Sequence, residues 1–109
     1  RNLPHGHLRE LEIAIALSAD PKVLLLDEPF TGMNPQETDR AIEMVRGIRD
    51  RGVTVLLVEH DMRAVMRISD RIIVLNFGRK LAEGVPSEIQ KHEAVIEAYL
   101  GREEEEIGV

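Results

Sequence analysis

The stretch KVLLLDEPFTGMNP, Lys22–Pro35, decides the fold. Val23 to Leu26 form an unbroken apolar run that ends in two carboxylates, Asp27 and Glu28, before the chain turns. A short run of this kind suits a strand buried on both faces of a parallel sheet. Adjacent acids at the end of such a strand are costly unless they bind something or stay in water. A magnesium–nucleotide complex is the ligand that fits them, and it raises the question of which loop holds the phosphates.

On the N-terminal side, Leu8 to Ala19 reads as a helix. Leu8, Leu11 and Ile15 form its apolar stripe, with Ala14 and Leu17 beside it, and Asp20-Pro21 stops it. On the C-terminal side, a second helix is predicted from Pro35 to Arg51. Asn34 is a good N-cap, Pro35 fits the first helical position and Glu37 stands where a capping-box acid belongs. Ala41, Val45 and Ile48 are its core face, and Gly52 ends it.

Val53–Val58 is the next apolar strand, and Asp61 caps a short helix carrying Val65 and Met66. Arg71–Leu75 is a third strand. Asn76-Phe77-Gly78-Arg79 turns the chain into a short antiparallel strand, Lys80–Glu83. One or two small helices follow between Pro86 and Leu100. Strand, helix, strand, helix, strand is the order of an α/β domain with a mainly parallel sheet. Residues 1–101 read as one domain or part of one, and residues 102–109 as an acidic, solvated, disordered tail.

Composition limits the function classes. The 109 residues carry a net charge of −6 and 3% aromatics, which supplies neither the basic footprint nor the stacking platform of a nucleic-acid binder. With no Cys, disulfides and thiolate metal sites are excluded. No apolar run approaches the roughly twenty residues of a membrane helix. A hydrophobic content of 43% suffices for a globular core.

In α/β sheets, ligands bind at the carboxyl ends of strands. Asp27 and Glu28 stand at one such end. His60, in VTVLLVEHDM, stands at the next. Asp27 is the candidate magnesium residue, acting through water because magnesium keeps much of its hydration shell. Glu28 is the candidate base for an attacking water, and His60 the candidate hydrogen-bond partner of a terminal phosphate or of that water. A lone acid pair is often just solvated, and a lone histidine is often structural. Two polar clusters at matching ends of two strands are more specific than either alone.

Together, DEP, GMNP and EHDM resemble the C-terminal half of an ABC-transporter ATPase. The resemblance implies a partial P-loop NTPase (RecA-like) core of the ABC ATPase type, with the N-terminal half absent. VLLLDE looks like the Walker B strand, with Asp27 on the magnesium side and Glu28 as catalytic base. TGMNP, with Gly32, Met33 and Asn34, looks like the D-loop that contacts a partner subunit; Asn34 stands where many ABC proteins have Asp. His60 matches the switch histidine. Leu3, Pro4, His5, Gly6 and His7 fall where the signature motif belongs, which serves the ATP of the opposite subunit.

GMNPQET, VEHDM, ISDRIIVL and VIEAYLG are similar to an ATPase subunit of bacterial branched-chain amino acid importers, with urea importers as close relatives. The implied ligands are ATP and Mg2+. The implied partners are a second ATP-binding subunit, membrane permease subunits and, indirectly, an external binding protein, with no nucleic acid. The implied location is the cytoplasmic face of the inner membrane, held there peripherally. A soluble ABC ATPase of DNA repair or translation fits the acidic charge and the VIEAYLG ending less well.

Two departures from the family pattern stand out. No G-x-x-x-x-G-K-[S/T] occurs in the sequence, so the loop that would hold the phosphates is expected upstream, in a longer subunit of which this is the C-terminal half. A truncated, non-catalytic remnant is the alternative. The signature is also altered. Pro4 replaces its serine and has neither a hydroxyl nor an N–H, forgoing a charged hydrogen bond of about 1.5–3 kcal/mol. His7 replaces the usual Gln, and Ile15 stands where the family has Arg.

Overall fold

The computed structural model describes residues 5–100, with side chains from 7 to 99. Leu3, Pro4 and the tail 102–109 therefore lie outside the described residues, and His5 and Gly6 are described by their backbone alone. The elements are α1 (His5–Leu17), β1 (Val23–Asp27), α2 (Pro35–Asp50), β2 (Thr54–Val58), α3 (Met62–Ile68), β3 (Ile72–Asn76), β4 (Arg79–Gly84), α4 (Pro86–Lys91), α5 (Glu93–Val95) and a π-helical turn, Ile96–Leu100. The chain divides into two compact units, with the division inside α3 between Ala64 and Val65.

In the first unit, β1 and β2 pair in parallel, Val23 opposite Thr54 and Asp27 opposite Val58. Such a pair needs a crossover, which is normally a helix, and α2 supplies it. Every start signal of α2 is used. The Asn34 side chain accepts from the Glu37 N–H at 2.8 Å, the Glu37 carboxylate accepts from the Asn34 N–H at 3.3 Å, and Pro35 opens the helix. Arg51 is the C-cap, and Gly52, at φ +98°, takes the left-handed position that favours glycine. The predicted core face Ala41, Val45 and Ile48 is buried, joined by Ile42. α2 contacts both β2 and α1.

Two expectations are corrected here. The continuous run of β1 predicts burial on both faces, yet the strand alternates. Leu24 and Leu26 are 5% and 7% exposed, whereas Val23 and Leu25 are 62% and 60% exposed. Leu56 and Val58 of β2 are likewise exposed. The physical reason is the single helical layer, which covers one face of the two strands. In α1, the predicted stripe Leu8, Leu11 and Ile15 is exposed and Ile13 is the buried residue. The helix turns a different side inward than its leucine spacing suggests.

In the second unit, β3 and β4 form an antiparallel hairpin, with a register irregularity after Val74. Its two-residue turn has positive φ at both Phe77 (+50°) and Gly78 (+74°), as tight hairpins require. Ile72, Val74 and Ala82 are buried, and Ile89 of α4 and Val95 of α5 are almost wholly so. The Tyr99 hydroxyl donates to the Leu75 carbonyl, which anchors Tyr99 to β3.

Candidate functional site

The carboxyl ends of β1 and β2 bring Asp27, Glu28 and His60 together in the first unit. Asp27 is the last residue of β1 and is exposed. Beyond it the backbone ladder gains one more bond, from the Glu28 N–H to the Val58 carbonyl at 2.7 Å. Glu28 itself has φ +47°, a left-handed conformation that few residues with side chains adopt. Its Oε1 lies 3.5 Å from His60 Nε2, and the two side chains are 52% and 69% exposed. A carboxylate and an imidazole thus face each other across adjacent strand ends, open to solvent.

The next residues form tight turns. The Thr31 N–H donates to the Glu28 carbonyl and the Met33 N–H to the Phe30 carbonyl. Gly32 sits at φ +80°, where a glycine is the least strained choice. Asn34 commits its side-chain oxygen to capping α2. This gives a structural reason for a side-chain acceptor at the end of the turn, whether Asn or Asp. Asp61 caps α3 as predicted, accepting from the Ala64 N–H at 3.2 Å.

His7 is exposed on α1. Leu3 and Pro4 lie outside the described residues, and His5 and Gly6 are described only as the backbone that opens α1.

Sequence reading missed Glu59. Its side chain is 1% exposed. Oε2 accepts from the Phe30 N–H at 3.2 Å and Oε1 from the His60 N–H at 3.1 Å. The signal was present in the alternation of β2. Val55 and Leu57 are less exposed than their neighbours, and continuing that period of two turns Glu59 inward.

Chemically, an exposed carboxylate such as that of Glu28 can accept a proton from water, and an exposed imidazole such as that of His60 can donate a hydrogen bond to an anionic oxygen. Among the described residues no group of three or more His, Asp or Glu side chains is placed to hold a metal ion. A single exposed carboxylate, Asp27, fits Mg2+, which keeps several waters and takes one or two carboxylates alongside phosphate oxygens. No described helix is long and apolar enough to cross a membrane.

Comparison with known proteins adds to this geometry. The family described as branched-chain amino acid ATP-binding cassette transporter matches residues 79–105. The chain is 50% identical over 101 residues to the high-affinity branched-chain amino acid transport ATP-binding protein LivG of Salmonella typhimurium, covering 92% of this chain and 40% of LivG. It is 37% identical over 103 residues to the lipopolysaccharide export system ATP-binding protein LptB of Escherichia coli K12, covering 94% of this chain and 43% of LptB. The crystal structure of the ADP conformation of an ATP-binding cassette of an ABC transporter superposes with a TM-score of 0.82 at 29% identity, covering 92% of this chain and 41% of that one.

The chain therefore spans about two fifths of the length of these relatives. The structural match shows the α/β fold to be that of an ABC ATPase cassette, with β1 and β2 as its parallel strands. In sequence and fold the chain is similar to the C-terminal part of ATP-binding subunits of ABC transporters, of the branched-chain amino acid type in particular.

Proposed function

We propose that this chain is the C-terminal part of the ATP-binding subunit of an importer that couples ATP hydrolysis to uptake of branched-chain amino acids. The observation that carries the reading is Glu28 facing His60 at 3.5 Å across the carboxyl ends of paired parallel strands, one residue beyond Asp27. Two such subunits close head to tail around two ATP molecules. Glu28 accepts the proton of the attacking water, and His60 hydrogen-bonds the terminal phosphate. Asp27 would hold Mg2+ through water. When bound, that ion neutralises charge developing on the phosphates.

The turn at Gly32, Met33 and Asn34 meets the second subunit. Leu3, Pro4, His5, Gly6 and His7 serve the nucleotide bound there. Residues 1–101 belong to the nucleotide-binding domain and residues 102–109 form the acidic tail. Membrane permease subunits receive the motion of closing and reopening, and an external binding protein delivers the substrate to them. The subunit sits on the cytoplasmic face of the inner membrane. The 50% identity to LivG, against 37% to LptB, favours amino acid import over lipopolysaccharide export. Urea import is the near alternative.

The reading is tested in the complete subunit assembled with its partners. Glu28→Gln is expected to lower ATP turnover at least a hundredfold, the usual scale for loss of a general base, while ATP still binds. Unchanged turnover would remove Glu28 from the mechanism. Uptake of labelled leucine by vesicles carrying the assembled transporter separates an amino acid importer from the other two.

A second reading rests on a specific observation: the 109 residues contain no phosphate-binding loop. Taken by themselves, these 109 residues then bind ATP weakly and do not hydrolyse it. Submicromolar ATP binding by the 109-residue chain in a calorimeter would exclude this.

A further inference from the structure

Glu59 is the most buried charged side chain at the site, between two exposed residues. Its side chain is 1% exposed, Val58 is 49% exposed and the His60 side chain is 69% exposed. A carboxylate taken from water is tolerated only when its oxygens are hydrogen-bonded. Here each oxygen is used on a different segment. Oε2 takes the N–H of Phe30, two residues past Glu28, and Oε1 takes the N–H of His60. Oε1 also lies 4.0 Å from His60 Nε2.

The loop after β1 is strained where it matters. Glu28 holds φ +47°, and a residue stays in such a region only when its surroundings over-determine it. On its N-terminal side the restraint is the backbone bond from Glu28 to Val58. On its C-terminal side, Pro29 has no N–H to offer, so the first backbone donor past Glu28 is that of Phe30. Glu59 holds that donor. One buried carboxylate thus ties the segment carrying Glu28 to the residue carrying the imidazole.

We propose that Glu59 is a positioning residue: its carboxylate clamps Phe30 to His60, and through that clamp holds Glu28 in its left-handed conformation facing the imidazole. This role in hydrolysis rests on the ATPase function proposed above; the clamp itself does not. A partner in stability alone would anchor the loop without setting the Glu28–His60 geometry.

The experiment has two arms. In the 109-residue chain, Glu59→Gln presents an N–H2 to one of two backbone donors. The amide resonances of both Phe30 and His60 are expected to move. In the complete assembled subunit, Glu59→Gln is expected to lower kcat about ten- to a hundredfold, the range for loss of a hydrogen bond to a charged group. The KM for ATP stays within about twofold of wild type. Glu59→Ala should lose more than Glu59→Gln. Ile48→Val, in the buried face near the end of α2 and away from the strand ends, supplies a destabilised control that retains wild-type kcat.

Unmoved Phe30 and His60 amides overturn the clamp whatever the ATPase does. A kcat loss no larger than that of a control with the same fall in Tm overturns the positioning role. If the amides move but the wild-type assembly hydrolyses no ATP, the clamp stands and the ATPase reading falls.

Discussion

The two sheets of this molecule expose one face each, and they dress it differently. The exposed side of the β1–β2 pair is largely aliphatic surface, Val23, Leu25, Leu56 and Val58, with Thr54 at one end and Asp27 at the other. The hairpin β3–β4 also exposes aliphatics, Ile73 and Leu75. There, however, Glu83 stands opposite Ile73 and Lys80 opposite Leu75, and Arg71 and Lys80 both bond to Glu83 at about 3 Å. Charges across a strand pair suit a face that meets water. An uncharged aliphatic face suits one that another layer covers. The hairpin is finished as a surface. The parallel pair is a two-faced core strand pair with one face covered.

The comparison is most exposed to failure at the buried side of β1. Leu26→Ala is expected to destabilise the chain by about 2–5 kcal/mol, the cost of a core cavity, read as a shift in the denaturant midpoint. Asn34→Ala comes next. It removes the capping-box acceptor of the helix that contacts β2, and about 1 kcal/mol should be lost with the hairpin amides unaffected. Leu25→Thr, one residue from Leu26 but on the open face, should change stability by less than about 0.5 kcal/mol and reduce binding of a hydrophobic dye. If Leu25→Thr costs as much as Leu26→Ala, the two faces are equally packed and the contrast collapses.

The smallest effect belongs to the hairpin. Hydrogen bonds from Lys80 and Arg71, with their positive charges, hold the Glu83 carboxyl below its ordinary value. A lowered folded-state value means that the stabilisation is fully present above the usual carboxylate range. It is lost as pH falls through the lowered value. Glu83 and both of its partners lie on the solvent-facing side of the hairpin, so the effect should be small and screened by salt. Acid titration of Glu83→Gln should lack this component, with the β1–β2 amides unchanged.

These contrasts also show which parts of the sequence are readable. The start of α2 was legible to the residue because Asn34, Pro35 and Glu37 each have one local job. The hairpin turn was legible for the same reason. The placement of Asp27, Glu28 and His60 at strand ends was legible because polar residues that end apolar runs mark such ends. Burial was less legible. VLLL reads the same whether one face or both are covered, since coverage is decided by layers far away in sequence. The leucines of α1 misled for a related reason, because three apolar residues at helical spacing do not say which neighbour arrives. Glu59 was hidden beside a histidine that drew the reading, and only counting the strand alternation one residue further would have turned it inward.

The crossover described for β1 and β2 has a consequence in time. Val23 can meet Thr54 only after the chain has travelled the length of α2 and returned, a non-local pairing that must close a long loop before any contact rewards it. Across its two-residue turn the hairpin faces no such delay, and elements of that kind form in about 1–10 μs. The strand ends that carry Glu28 and His60 therefore belong to the slower-maturing unit. A chain caught early in folding would hold a finished hairpin while its two candidate catalytic groups were still strangers.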